Sequence, residues 1–338
     1  PMMMFLMNVT CVAIVWYGAI GVDKGTIGVG DIMAYIQYTM QIIMSFLMIS
    51  MISIMLPRAS ISAKRIIEII ESKNTVKDPL KEQKFDKKKK GTVEFKNVCF
   101  RYPDAFEDVI TDVNFTSKPG TTTAFIGSTG SGKSTLINLI PRFYDVTEGS
   151  ILIDGVDIRN INQKTLRRKI GYVPQKGILF SGTIESNIKY GDESISDKDM
   201  IKAANVAQAT DFIEQKTNQY KESISQGGTN VSGGQRQRLS IARAIAINPD
   251  IFIFDDSFSA LDFKTDARLR KELSKITKNK TVFIVAQRIS TIMNAEQIIV
   301  LNEGKVVGKG THKELIKNCS IYREIALSQL SEEEVNNG

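Results

Sequence analysis

Residues 1–57 carry only three charged side chains, Asp23, Lys24 and Asp31, in a chain of 338 residues that holds 44 Lys+Arg and 37 Asp+Glu. Two different solvents are implied, because the remaining 281 residues read as ordinary soluble sequence (338 less 57). Residues 2–22 and 32–57 are uncharged runs of 21 and 26 residues. A helix of about 20 apolar residues crosses a hydrocarbon core about 30 Å thick, so both are long enough to span. The nine residues between them, DKGTIGVGD, are polar and glycine-rich. The pair therefore reads as a transmembrane hairpin rather than as core helices of a soluble domain. No basic segment or small-residue cleavage site frames the first run, which makes a secretory signal the poorer reading.

Arg58, Lys64 and Arg65 arrive together after the second run and place that end in the cytoplasm by the positive-inside tendency. Gln37, Tyr38, Thr39, Gln41 and Ser45 add polar groups to the second span, where they could line a polar path or hydrogen-bond to neighbouring helices. Isoleucines at 61, 66, 67, 69 and 70 continue a helix beyond the membrane. Residues 72–91 hold eight lysines, three acids and three large apolar residues and read as a solvated basic linker. The organisation expected is a membrane segment at 1–71, that linker, a second domain at 92–330 and a polar tail at 331–338.

From residue 92 the pattern changes to short apolar runs, VEFKNVCFRY, TTTAFIG, SILIDG, IFIFDD and TVFIVA, separated by helical stretches. Such alternation predicts an α/β domain with a largely parallel sheet. Cys11, Cys99 and Cys319 lie far apart with no CxxC pair, which suggests neither zinc nor disulfides and fits a reducing compartment. His312 is the single histidine, so no mechanism needing two is open to this chain. The net charge of +7 is modest, and no basic stripe with interleaved aromatics points to nucleic acid.

The stretch GSTGSGKST, comprising Gly127, Ser128, Thr129, Gly130, Ser131, Gly132, Lys133, Ser134 and Thr135, matches GxxxxGK[ST] between a strand-like run and a helix-like one. Glycines let backbone N–H groups crowd round phosphates at a helix start, Lys133 supplies a point charge, and the Ser134 hydroxyl can ligate Mg²⁺. The apolar run 251–254 ends in Asp255, a carboxylate at the C-terminal end of a strand, suited to hold Mg²⁺ through water. These residues alone describe a P-loop nucleotide-binding domain on a membrane hairpin.

The stretch VSGGQRQRLSIARA at 231–244 carries the reading further. With it, the chain resembles the C-terminal part of an ABC exporter half over essentially all 338 residues. The resemblance implies an ABC-type α/β P-loop ATPase domain with a helical subdomain, preceded by the last two helices of an all-α membrane domain, and the cofactors ATP and Mg²⁺. Tyr102, 25 residues before Gly127, is similar to the family's adenine-stacking aromatic. Gln175 in YVPQ resembles the glutamine that links Mg²⁺ and the attacking water to the transmembrane region. Ser232, Gly233, Gly234 and Gln235 resemble the signature that holds the γ-phosphate of ATP bound to the opposite subunit. Ser259, Ala260, Leu261 and Asp262 resemble the loop that crosses the dimer interface.

Three positions depart from the family's pattern. Asp256 stands where active members have a glutamate, and one methylene less withdraws its carboxylate by about 1 Å, a misplacement that can cost about 10²-fold in rate. Gln287 in IVAQRIS replaces a histidine, and an amide can donate a hydrogen bond but carries no charge. Gln226 in ISQGG stands where an acidic residue is common. His312 does not replace the missing histidine, since GKGTHKEL reads as a surface-like segment with a solvated or helix-capping imidazole.

A weakened pair at Asp256 and Gln287, beside an intact P-loop and signature, implies the degenerate half of a heterodimeric exporter. Its expected partners are a second half-subunit sharing composite ATP sites, the lipid bilayer and an exported solute. Its expected place is the cytoplasmic membrane, with the nucleotide-binding domain in the cytoplasm. The alternatives are a homodimeric exporter hydrolysing slowly through Asp256, and a regulatory ATP-binding subunit that moves nothing. Because exporter halves have six transmembrane helices, the 338 residues are expected to be a fragment of a longer chain.

Overall fold

The structure, a computed structural model, describes residues 2–72 and 74–330. The chain divides into two compact units at residues 1–74 and 75–338.

In the first unit, α1 (Met2–Asp23) and α2 (Val29–Ile70) form a helical hairpin. Gly18 lets the helices close: a Cβ there would lie 2.7 Å from the Ile32 side chain. Asp31 turns back to accept the Gly28 N–H at 2.7 Å, so one of the three charges serves the turn. Both helices are long and apolar enough to cross a membrane. At 42 residues α2 extends about 63 Å, long enough for its charged end, Arg58 to Glu68, to lie beyond a bilayer about 30 Å thick. The hydroxyls of Thr39 and Ser45 donate to the carbonyls of Tyr35 and Gln41 in their own helix, at 2.8 and 2.9 Å. They are thus satisfied locally.

In the second unit the strands are β1 (Val93–Phe100), β2 (Ile110–Ser117), β3 (Thr122–Ile126), β4 (Glu148–Ile153), β5 (Val156–Asp157), β6 (Ile170–Val173), β7 (Gly182–Thr183), β8 (Ser223–Ile224), β9 (Ile251–Asp255), β10 (Thr281–Val285), β11 (Gln297–Asn302) and β12 (Lys305–Gly310). The helices are α3 (Lys133–Leu139), α4 (Gln163–Arg167), α5 (Ile184–Ile188), α6 (Asp197–Val206), α7 (Thr210–Glu214), α8 (Gly233–Ala246), α9 (Phe263–Ile276), α10 (Ile289–Ile292), α11 (His312–Asn318) and α12 (Ser320–Leu327).

One sheet has the order β12-β11-β3-β10-β9-β6, parallel throughout except for the edge strand β12. Every residue of β9 is buried, as a strand covered on both faces requires. A separate sheet, β2-β1-β4-β5, is antiparallel. VEFKNVCFRY and SILIDG, expected in the parallel sheet, belong to this second one. The nine residues between β1 and β2 are too few for a crossover helix, so the two strands pair antiparallel. Phe95, Phe115, Phe125 and Phe283 pack where the two sheets meet. Helices α5 to α9 close over a second core around Phe252, Phe254 and Phe258.

Most of residues 74–90 is exposed, as a solvated linker would be, but the segment is also tied to this unit at several points. Val76 is buried. Asp78 accepts from the Gln163 N–H at 2.9 Å and from the Asn162 amide at 3.1 Å. Arg142 donates to the Lys77 carbonyl, and the Lys169 ammonium sits 4.5 Å from the Phe85 ring centroid. The lysine count hid these apolar and acidic contacts, each of which finds a partner on the folded surface.

His312 also departs from expectation. It is buried, and its Nδ1 lies 2.7 Å from the Tyr322 hydroxyl. Thr311 and Glu314 perform the capping, which frees the imidazole to face the core. The tail at 331–338 lies outside the described residues.

Candidate functional site

Four neighbouring parallel strands bring the site together. β3 leads into the Gly127–Thr135 loop, β6 into Gln175, β9 into Asp255 and Asp256, and β10 into Gln287. Ligands of open α/β sheets gather at these C-terminal strand ends. Thr129, Gly130, Gly132, Lys133, Ser134, Thr135, Gln175, Asp255, Asp256 and Gln287 line one cavity of about 230 Å³, together with Val109 and Val285.

The loop's glycines answer to space. Gly132 takes φ +95°, and a Cβ on it would lie 2.7 Å from Ile110 and 3.1 Å from the Val109 carbonyl. The Lys133 ammonium donates to the Gly127 carbonyl at 2.9 Å and to the Ser128 carbonyl at 2.6 Å, bending over the loop from the first turn of α3. Ser134 donates to Asp255 Oδ1 at 3.0 Å, so the hydroxyl and the strand-end carboxylate meet. Ser131 is buried beneath them.

Asp256 takes φ +45°, a left-handed conformation that aspartate reaches more readily than most residues. Its N–H donates to the Val285 carbonyl at 2.9 Å. The carboxylate accepts two side-chain hydrogen bonds on the same oxygen, Oδ2: from Gln287 at 2.8 Å and from Gln175 at 3.3 Å. Burial pushes the Asp256 carboxyl above the usual carboxylate range, against the pull of Gln175, Ser259, Arg288 and Lys133. Burial raises Asp255 likewise; Ser134 opposes the shift and the Asp256 charge reinforces it. Lys133 is lowered by burial, with Asp255 and Asp256 working the other way.

The remaining expected residues lie elsewhere. Tyr102 sits beside the loop, its hydroxyl 3.0 Å from Thr135 Oγ1 and its ring edge-on to Phe100 and Tyr144. Ser232 caps α8, accepting from the Gln235 N–H at 3.2 Å while Gln235 Oε1 accepts from the Ser232 N–H at 3.1 Å. Asp262 caps α9 through the Thr265 N–H. A Cβ on Gly234 would lie 3.5 Å from the Ala260 carbonyl, so the SGGQ stretch and the Ser259–Asp262 loop adjoin. None of Ser232, Gly233, Gly234, Gln235 and Asp262 lines the cavity around Lys133.

Two contributors escaped the sequence reading. Gln237 is buried in α8, accepts the Gly177 N–H at 2.9 Å and donates to the Pro174 carbonyl at 3.2 Å, fixing the segment that bears Gln175. Its spacing of four from Ile241 was the available signal. Arg270 of α9 pairs bidentately with Asp266 and donates to the Thr291 carbonyl and hydroxyl, four residues beyond Gln287. Asp266 four residues before it was the available signal, an acid–base pair at helical spacing.

Residues 110–259 match the model of the ABC transporter family. An uncharacterized ABC transporter ATP-binding protein of Mycobacterium tuberculosis is 43% identical over 332 residues, covering 97% of this chain and 57% of that protein. An ATP-dependent lipid A-core flippase of Syntrophus aciditrophicus is 36% identical, covering 99% and 55%. The structure of a bacterial Atm1-family ABC exporter with ATP bound aligns with TM-score 0.75 and 31% identity, over 97% of this chain and 57% of that one. The chain thus spans a little over half the length of each of these three. On these matches and on the strand-end site, the chain belongs to the ABC transporter family.

Proposed function

We propose that the chain is an ATP-binding subunit of an ABC exporter whose own site holds ATP and hydrolyses it slowly, while Ser232, Gly233, Gly234 and Gln235 complete the site of a second half-subunit. The observation that carries this reading is the double engagement of Asp256 Oδ2 by Gln287 and Gln175. The carboxylate is short by a methylene, and the oxygen a water would use already has two donors. Its strongest partner is an uncharged amide, which cannot supply the positive charge a γ-phosphate would meet in an imidazolium.

Oxygen-rich chemistry fits Mg²⁺ at Ser134, Asp255 and Gln175. Among the described residues no three His, Cys, Asp or Glu side chains gather as a metal cage, which suits an ion shared with nucleotide phosphates. When bound, the ion would neutralise charge on the β- and γ-phosphates. Lys133 would release its loop carbonyls to meet the same phosphates, and Tyr102 would stack on the adenine. The position of the SGGQ stretch outside the Lys133 cavity supports its use by another subunit. Membrane residence through α1 and α2, a cytoplasmic nucleotide-binding domain, a heterodimeric partner and an exported solute complete the proposal.

The test is ATP hydrolysis by the chain in lipid nanodiscs, before and after Asp256→Glu with Gln287→His. Retention of ATP with near-zero turnover in the parent, and a rise of about 10²-fold in the double variant, is the expected result. Brisk turnover by the parent would instead make Asp256 a competent base and favour the homodimer.

A further inference from the structure

We infer that Gln329, two residues past α12, is a positioning residue for Gln287 and so sets the geometry of the nucleotide site from outside it. This rests on the ATP-holding reading above and assigns that site a further determinant. The Gln329 carboxamide docks on the backbone of the loop after β10 with both of its atoms: Oε1 accepts the Ile289 N–H at 2.9 Å, and Nε2 donates to the Gln287 carbonyl at 2.8 Å. Gln287 then donates its own side-chain amide to Asp256. Two hydrogen bonds joined through Gln287 therefore connect Gln329 to the carboxylate beside the P-loop, and a third, to Ile289, anchors Gln329 beside them.

The chain of contacts is built rather than incidental. The Ile289 N–H opens α10, where backbone donors lack intrahelical partners, and Arg288 offers no side-chain cap. Gln329 supplies that acceptor. Its own position is fixed by its neighbours: Tyr322 and Ala326 are fully buried against Ile289 and Ile292, and Leu330 packs on the same cluster. Within α10, the Thr291 carbonyl and hydroxyl are held by Arg270 at 3.0 Å each. The five residues 287–291 are thus gripped at both ends, with the Gln287 carbonyl and side chain as the link to Asp256. A glutamine side chain has several torsions of its own, so its aim at Oδ2 depends on a backbone held this way.

The experiment compares the parent chain in nanodiscs with Gln329→Ala, Gln329→Glu, Gln287→Ala and the Gln287→Ala/Gln329→Ala pair. It reads Mg-ATP affinity with radiolabelled ATP and hydrogen exchange at the Ile289 amide. Gln329→Ala is expected to speed that exchange and to weaken Mg-ATP about 3- to 10-fold, the range one lost hydrogen bond supplies. Glutamate keeps the acceptor for Ile289 but places a carboxylate against the Gln287 carbonyl. Gln329→Glu should therefore leave the amide protected and still weaken Mg-ATP, a split that a purely structural role does not produce. With Gln287→Ala there is no side chain left to aim, and adding Gln329→Ala should change affinity by less than about twofold.

Equal weakening by Gln329→Ala in both backgrounds, or unchanged exchange and affinity, would overturn the inference. A parent that binds no Mg-ATP would sink the ATP-holding reading and this role with it, and amide exchange would then report the clasp as structural only. If Gln329→Ala fails to fold, the split in Gln329→Glu decides alone.

Discussion

Gln287 Nε2 donates a 2.8 Å hydrogen bond to Asp256 Oδ2 and so joins residues 31 apart in sequence, one just past β9 and the other two residues past β10. Two of the three departures from the family's pattern are thus in direct contact. Restoring either alone should leave the new side chain facing the wrong partner. Asp256→Glu and Gln287→His singly are expected to recover less than about a tenth of the turnover of the double variant, measured as phosphate release. Simple multiplication of two single gains would show the residues to be independent.

Lys133 lies half-buried over its own loop, and its ammonium is the charge a triphosphate would meet. Lys133→Ala is expected to weaken Mg-ATP at least about tenfold with little change in melting temperature, since the lost contacts are carbonyls that water can reach. Burial lowers this lysine's pKa from 10.5, opposed by Asp255 and Asp256. Affinity should accordingly fall as the pH climbs toward the ordinary lysine range, earlier than in Lys133→Arg. A flat pH profile in the parent would remove the ammonium from phosphate binding.

Away from the nucleotide, Lys169 bridges Asp154 at 2.7 Å and Asp250 at 3.0 Å, and Lys90 meets Asp250 at 3.1 Å. Asp154 is almost wholly buried and also accepts the Gly91 N–H at 2.6 Å. Asp154→Ala leaves that buried N–H without its acceptor and Lys169 with Asp250 alone, and should cost about 1–3 kcal/mol in urea unfolding. A cost below about 1 kcal/mol would mean that water replaces the carboxylate.

The same network predicts an acid limb. Burial works to raise Asp250, but hydrogen bonds from Lys169 and Lys90 outweigh it and hold the carboxyl below 3.8. Its stabilisation is therefore complete above 3.8 and lost as the pH falls through the lower, folded value. Lys169 is disfavoured by burial, yet its hydrogen bonds to Asp154 and Asp250 raise it above 10.5. That contribution is complete below 10.5 and lost as the pH rises through the folded value. Melting curves of Lys169→Met should be flatter than the parent's at both extremes.

Gly132 sits at φ +95° with Ile110 and the Val109 carbonyl against the place of a Cβ. Gly132→Ala should lower stability by about 1–3 kcal/mol and abolish tight Mg-ATP binding together, because strain and steric contact fall on the loop that holds the phosphates. Unchanged binding would indicate that the loop can be rebuilt around a methyl group.

Periodicity and local spacing made much of this legible. The uncharged runs at 2–22 and 32–57, the GSTGSGKST loop and the apolar strand ending in Asp255 each declare themselves within a short window, because helix length, phosphate cradling and strand burial are local requirements. Long-range pairing is what a window cannot see. VEFKNVCFRY and TVFIVA are similar as text, and only their neighbours assign one to an antiparallel sheet and the other to the parallel one. Lysines concealed the hold that residues 76–90 have on the folded surface, and a TH dipeptide that reads as a capped surface turn buries its imidazole against Tyr322. The sequence by itself determined the membrane-compatible hairpin, the phosphate loop and the identities of residues 256 and 287, which differ from the family's pattern. The tertiary structure alone decided that Asp256 and Gln287 touch and that Gln329 grips the backbone at Gln287 and Ile289, since a hydrogen bond spanning 31 or 42 residues has no signature in the residues it skips.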